Sequence, residues 1–189
     1  MVRSLVMDAC CTLNVLATQL ELEIAVACDF VFIISDYAHA EVLFLDSPPD
    51  DKGVRTKEPA STLALRNARR LEVRALDTTA LLDAFVDCAA HLRDEDASCV
   101  ALAAVLGLPL MTDDGKEQRV ARTLFPSIEI LSTLSVLQDA ATRLNLAEKD
   151  LMRVATALRW RGNFAPPRKD PLSPWYAELL RKAGVPNGG

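Results

Sequence analysis

The sequence is poor in the residues that staple or metallate small domains. It has five cysteines, an odd set with no Cys-x-x-Cys pair, and two histidines, His39 and His91, that stand apart. That argues against a disulfide framework and against a zinc site, and leaves the thiols as small packing groups. It also lacks any run of the roughly 18 apolar residues that a membrane-spanning helix needs, and its N-terminal apolar run is too short for a secretory signal. The expectation is a cytoplasmic protein with no membrane partner. No internal repeat is present.

What the chain does have is apolar content and acid. Half of its 189 residues are hydrophobic and a quarter are charged, enough to bury the core of one domain with extensions. The net charge of −5 hides an asymmetry: residues 151–189 carry seven Lys or Arg against Asp170 and Glu178, a net of +5, which leaves −10 on residues 1–150. A cluster of carboxylates becomes tolerable beside a divalent cation, so part of that acidity is a candidate metal site.

Strand and helix signals alternate along the first two thirds of the chain. Ser4–Met7 reads as a buried strand ending at Asp8, followed by helices over Ala9–Ala17 and Leu20–Ala27. Phe30–Ile34 is a strand by its β-branched and aromatic content, and Tyr37–Leu45 is expected to be helical. Residues 46–60, rich in Pro, Gly and charge, read as a long exposed loop. A short helix over Thr62–Arg70, an alternating strand over Leu71–Leu76 and an amphipathic helix over Thr79–Leu92 follow. Beyond Asp114 come a helix over Lys116–Leu124, a strand over Ile128–Leu131, helices over Leu134–Leu144 and Ala147–Arg161, a Pro-rich link and a last helix over Trp175–Ala183. This alternation implies a doubly wound α/β fold with a parallel sheet, whose ligands sit at the carboxyl ends of the strands.

The central unit is DEDASCVALAAVLGLPLMTDD, residues 94–114: an acidic start, a helix stopped by Gly107, a short apolar strand, then Thr112, Asp113 and Asp114. If the strand is parallel to its neighbours, the helix before it runs the opposite way, so its N-terminus and the strand's C-terminus share one edge of the sheet. Asp96 heads the stripe Cys99, Val100, Ala103, which aims it at the sheet, with Glu95 and Asp94 turned progressively away. Asp8 ends the first strand, and Glu41 lies about one turn below the same edge. Each acid also has a plain role open to it: a helix cap for Asp8, Asp94 or Asp96, a solvated side chain for Glu41, and a turn for Asp113-Asp114-Gly115. Together, Asp8, Glu41, Asp96 and Asp114, with Asp113 and Thr112 beside them, form a hard oxygen set suited to Mg²⁺ or Mn²⁺. Such an ion activates water and stabilises the charge that develops in phosphodiester hydrolysis.

LVMDACCTLNVLAT, an acid on the helix after the second strand, DASCVALAAVLGLP and LMTDDGKEQRVA together resemble the successive motifs of PIN-domain ribonucleases, the fold of many bacterial toxins of toxin–antitoxin pairs. The resemblance covers residues 1–132. It implies a PIN-like nuclease domain with helices on both faces of the sheet and the loop 46–60, followed by a C-terminal helical extension over 133–189. It implies metal-binding acids at Asp8, Glu41, Asp96 and Asp114, a polar helper at Thr112, and Mg²⁺- or Mn²⁺-dependent cleavage of RNA. An antitoxin protein and a second copy of the chain are the further partners it leaves open. One departure is Cys10, where many of these toxins carry Asn.

Two other readings compete. DACCTL also resembles the start of haloacid-dehalogenase-type phosphatases, but the second Asp that they need is here Cys10, and no GDxxxD element follows. A catalytically idle PIN-like module that binds RNA or protein is the other. For RNA, Lys116, Arg119 and Arg122 form a basic strip that begins beside Asp114. In the tail, Arg159, Trp160, Arg161, Phe164, Arg168 and Lys169 interleave cations with rings that can stack on bases or pack on the domain.

Overall fold

Leu5, Val6 and Met7 follow one another along the first strand, point to alternate faces, and are all fully buried, so both faces of the sheet are covered. The computed structural model describes residues 2–186; residue 1 and residues 187–189, the extreme ends of the two expected regions, lie outside the described residues. The elements run β1 (Arg3–Met7), α1 (Ala9–Ala17), α2 (Glu21–Ala27), β2 (Phe30–Ser35), α3 (Asp36–His39), β3 (Phe44–Asp46), β4 (Lys57–Pro59), α4 (Leu63–Asn67), β5 (Leu71–Arg74), α5 (Thr79–Ala89) and α6 (Asp94–Leu106). Then come β6 (Leu110–Met111), α7 (Gly115–Leu124), β7 (Ile130–Leu131), α8 (Thr133–Arg143), α9 (Glu148–Arg161) and α10 (Ser173–Lys182). Among the described residues, no single helix is long and apolar enough to cross a membrane.

Five strands form one parallel sheet in the order β5-β2-β1-β6-β7, flanked by helices, as a doubly wound α/β fold requires. The chain builds outward from β1 through β2 to β5 and then crosses to the other side of β1 for β6 and β7. The switch point therefore lies between β1 and β6, where such sheets bind their ligands. α6 packs on β1, β2 and β6 beneath α5, and is buried from Ala97 to Ala103 on every side rather than along one stripe. Gly107 ends it at φ 64°, a left-handed conformation that glycine adopts without penalty.

The extension joins the same core. Leu134, Leu158 and Tyr176 are fully buried in the cluster that also holds Leu5 and Phe32, and α9 lies against α1 and α10. Gly162 makes the α9–α1 approach possible, since a Cβ there would stand 2.9 Å from Asn14 Oδ1.

Two expectations need correction. The helix over Tyr37–Leu45 stops at His39, because the Leu43 carbonyl is taken by the Ala60 amide and Phe44–Asp46 is drawn into antiparallel pairing with Lys57–Pro59. The exposed loop 46–60 is accordingly held at its base by a small hairpin, with only its tip irregular. Tertiary contacts fix it: Arg55 pairs with Asp46 at 3.1 Å and donates to the Trp160 carbonyl, and Arg161 pairs with Glu58 at 2.8 Å.

Candidate active site

At the switch point β1 delivers Asp8 and β6 delivers Thr112, Asp113 and Asp114. The two strand ends are tied by the Asp8 amide, which donates to the Met111 carbonyl at 3.2 Å. Asp8 caps α1, its Oδ1 accepting from the Cys11 amide at 2.5 Å, so the capping role is real. It is also 4 % exposed. Burial pushes its carboxyl up to about 6 and the neighbouring Asp113 charge adds to this, against hydrogen bonds from the Cys11 amide and the Thr112 hydroxyl.

Thr112, fully buried, sits between two carboxyl groups. Its hydroxyl donates to Glu117 Oε2 at 2.6 Å, accepts from the Asp114 amide at 3.1 Å, and lies within reach of Asp8. One hydroxyl proton serves one carboxylate at a time. Glu117, in the first turn of α7, is completely buried, and its Oε1 has no hydrogen-bond partner among the described residues. Burial first, then the charges of Asp8, Asp96 and Asp114, drive its carboxyl well above the usual range, opposed by the Thr112 bond.

The rim is made by the start of α6 and the turn after α3. Asp96 is half-buried, and burial raises its carboxyl, with Glu95 and Asp114 adding to this and Arg93 and Lys116 opposing it. Glu95 is not turned away as helical periodicity suggested: its side chain is 18 % exposed, against 24 % for Asp96. Arg93 joins them, 2.7 Å from Glu95 and 3.7 Å from Asp96. Glu41 lies in the turn beyond α3 rather than on a helix, exposed, its carboxyl raised by partial burial and by Glu95 and Asp96. Cys10, exposed on α1, feels Asp8, Asp96 and Glu117; burial of its thiol and those charges push it up to about 11. A thiol that holds its proton so firmly is a poor substitute for the acid a phosphatase needs there.

Asp8, Asp96, Asp114 and Glu117 therefore share one electrostatic neighbourhood, with Glu41 and Glu95 at its rim. As they stand, no three His, Cys, Asp or Glu side chains among the described residues close into a metal cage. Asp113 is turned towards α8 and α1, although its charge still reaches Asp8. Its Oδ1 accepts from the Thr133 amide at 3.0 Å and its Oδ2 from the Thr133 hydroxyl at 2.5 Å, with the Cys11 thiol at 3.4 Å, so it ties β6 to α8 and α1. Asp114, exposed, caps α7 through bonds from the Lys116 and Glu117 amides, at 2.6 Å and 2.9 Å.

Lys116, Arg119 and Arg122 are exposed on α7, and no ion pair engages them among the described residues. The tail is different. Arg161 is committed to Glu58, Trp160 lies within 5.7 Å of the Arg55 and Arg159 guanidinium groups, and Phe164 is buried edge-on against Tyr176. Trp160 and Arg161 thus hold the hairpin against α9, and Arg159 lies over the Trp160 ring.

The sequence reading missed Glu117, Glu95 and Arg93. For Glu117 a signal was present: it heads the stripe Val120, Ala121, Leu124, a carboxylate at the start of an otherwise apolar helix face. Comparison of the chain with protein-family models, with curated proteins and with solved structures finds no match.

Proposed function

We propose that the chain is a ribonuclease of PIN-like fold that hydrolyses RNA phosphodiester bonds with Mg²⁺ or Mn²⁺. The observation that supports this most is that Asp8, Asp96 and Asp114 all act on the buried carboxyl of Glu117, which is bonded to Thr112 at the switch point and has an oxygen that lacks a partner among the described residues. The donors suit a hard cation: they are carboxylate oxygens, and the nearby thiols, Cys10, Cys11 and Cys99, are all pushed towards keeping their protons. Mg²⁺ takes one or two carboxylates together with waters and substrate phosphate oxygens, so acids that share a field without closing into a cage fit its needs. Asp8, Asp96 and Asp114 would hold the ion, with Glu41 at the rim. When bound, it supplies an activated water and offsets charge on the phosphate. Thr112 orients the inner carboxylates, and Lys116, Arg119 and Arg122 attract the RNA backbone towards the acids.

One observation favours a metal-free binding module instead: the Arg93 guanidinium already offsets Glu95 and Asp96. Activity separates the two. Single-stranded and structured RNA are incubated with Mn²⁺, Mg²⁺ or EDTA and the parent, Asp8→Asn or Asp96→Asn. The expected result is cleavage by the parent only, and only with metal. Cleavage equal in all three proteins, or none by the parent with either metal, would refute the proposal.

A further inference from the structure

We infer that Glu117 is itself a ligand of the cation, holding it from the inner side of the site opposite the exposed acids. The inference rests on the proposed metal site and adds to it an acid outside the set that the sequence pattern marked.

A Glu at the third position of a helix commonly turns back to accept from the backbone amide of the capping residue. Here that amide, of Asp114, is already bonded to Thr112 Oγ1, and Glu117 turns inward to complete burial instead. Its Oε2 takes the Thr112 hydroxyl proton at 2.6 Å. Its Oε1, equally buried, takes nothing among the described residues. The groups whose charges act on it, Asp8, Asp96 and Asp114, are acceptors that offer it no proton. A carboxyl proton on Oε2 leaves Oε1 without a donor, and a proton on Oε1 has only the neighbouring acids to receive it. An orphaned polar atom in a fully buried position is expensive, and native proteins seldom keep one without a partner. A cation between Glu117 and Asp8 removes the shortfall and the mutual repulsion together. Two carboxylates also suffice for an ion that keeps its waters.

The test is Mn²⁺ binding by calorimetry to the full chain, with melting temperatures recorded with and without Mn²⁺, for the parent, Asp8→Asn and Glu117→Gln. Gln keeps the shape and the acceptor for Thr112 but removes the charge. The expected result is an Mn²⁺ affinity weaker by about tenfold or more, the loss seen even for groups that only support a ligand. The rise in melting temperature on adding Mn²⁺ should shrink alongside it, while the metal-free melting temperature stays level or increases. A change below tenfold in Glu117→Gln, with Asp8→Asn still losing Mn²⁺, overturns the role of Glu117 and leaves the metal site standing. A parent that binds no Mn²⁺ overturns both. Should Glu117→Gln fail to fold, Glu117→Asp, which keeps the charge but withdraws it by one methylene, is judged on the same tenfold threshold.

Discussion

Asp8 allows the energetics of the site to be tested without substrate. Its carboxyl is raised from an ordinary 3.8 to about 6, chiefly by burial, so the folded chain holds that proton more tightly than the unfolded chain does. The sign follows. Below 3.8 the group is protonated in both states and costs nothing; as pH rises to about 6 the folded state must either keep a proton or bury a charge, and stability falls; above about 6 the whole penalty is present. At about 1.4 kcal/mol per pH unit, the interval amounts to about 3 kcal/mol. Asp8→Asn removes the penalty while keeping an acceptor for the Cys11 amide, since Asn caps helices as well as Asp does. It also relieves Glu117, which acts in the same direction. The variant in EDTA should therefore be more stable than the parent at pH 7.5 by about 3 kcal/mol, a rise of about 6–12 °C in melting temperature for a chain of this size. At pH 4 the two should nearly coincide. The assay is chemical or thermal unfolding followed by circular dichroism at half-unit steps from pH 4 to 8. A difference that does not change with pH, or a less stable variant at pH 7.5, would show that Asp8 is not a buried acid under strain. Saturating Mn²⁺ should reverse the ranking, because only the parent presents the charge that the ion needs.

The parts of this architecture that were legible in the sequence are those where burial leaves a periodic trace. β1 and β2 are covered on both faces and read as continuous apolar runs, and the end of β1 placed Asp8 correctly. Gly107 marked the stop of α6 because that position has positive φ. The hairpin was not legible, because its strands are three residues long, contain Lys57 and Pro59, and owe their pairing to Arg55 and Arg161 reaching across to Asp46, Trp160 and Glu58. That pairing also shortened α3 and moved Glu41 off its expected helix. For the site, the exposed acids announced themselves by type and spacing. Glu117 left only its place at the head of the apolar stripe of α7, a mark easily passed over because a Glu in a first turn ordinarily serves the helix dipole in solvent, and the packing of α7 on α5 and α6 is what buries it.

Asp113 and Asp114 should separate cleanly. Asp113→Ala deprives the Thr133 amide and hydroxyl of their acceptor and should lower stability by about 1–3 kcal/mol while leaving Mn²⁺ affinity near the parent's. Asp114→Asn retains its cap on α7 and should do the reverse, which unfolding curves and calorimetry on the two variants would check. The basic residues divide in the same way. Lys116 and Arg119 are exposed and free of ion pairs among the described residues, whereas Arg161 is paired with Glu58 beneath the hairpin. If the first two meet RNA phosphates, each contributes about 0.7 to the slope of log affinity against log salt for a single strand, so Lys116→Ala/Arg119→Ala should flatten it by about 1.4. Arg161→Ala should leave the slope alone and lower the melting temperature, because it strands Glu58 and loosens the hairpin. Binding measured in EDTA, where metal-dependent cleavage cannot proceed, gives both slopes. A parent slope that survives Lys116→Ala/Arg119→Ala but falls in Arg161→Ala would move the RNA track from α7 to the tail.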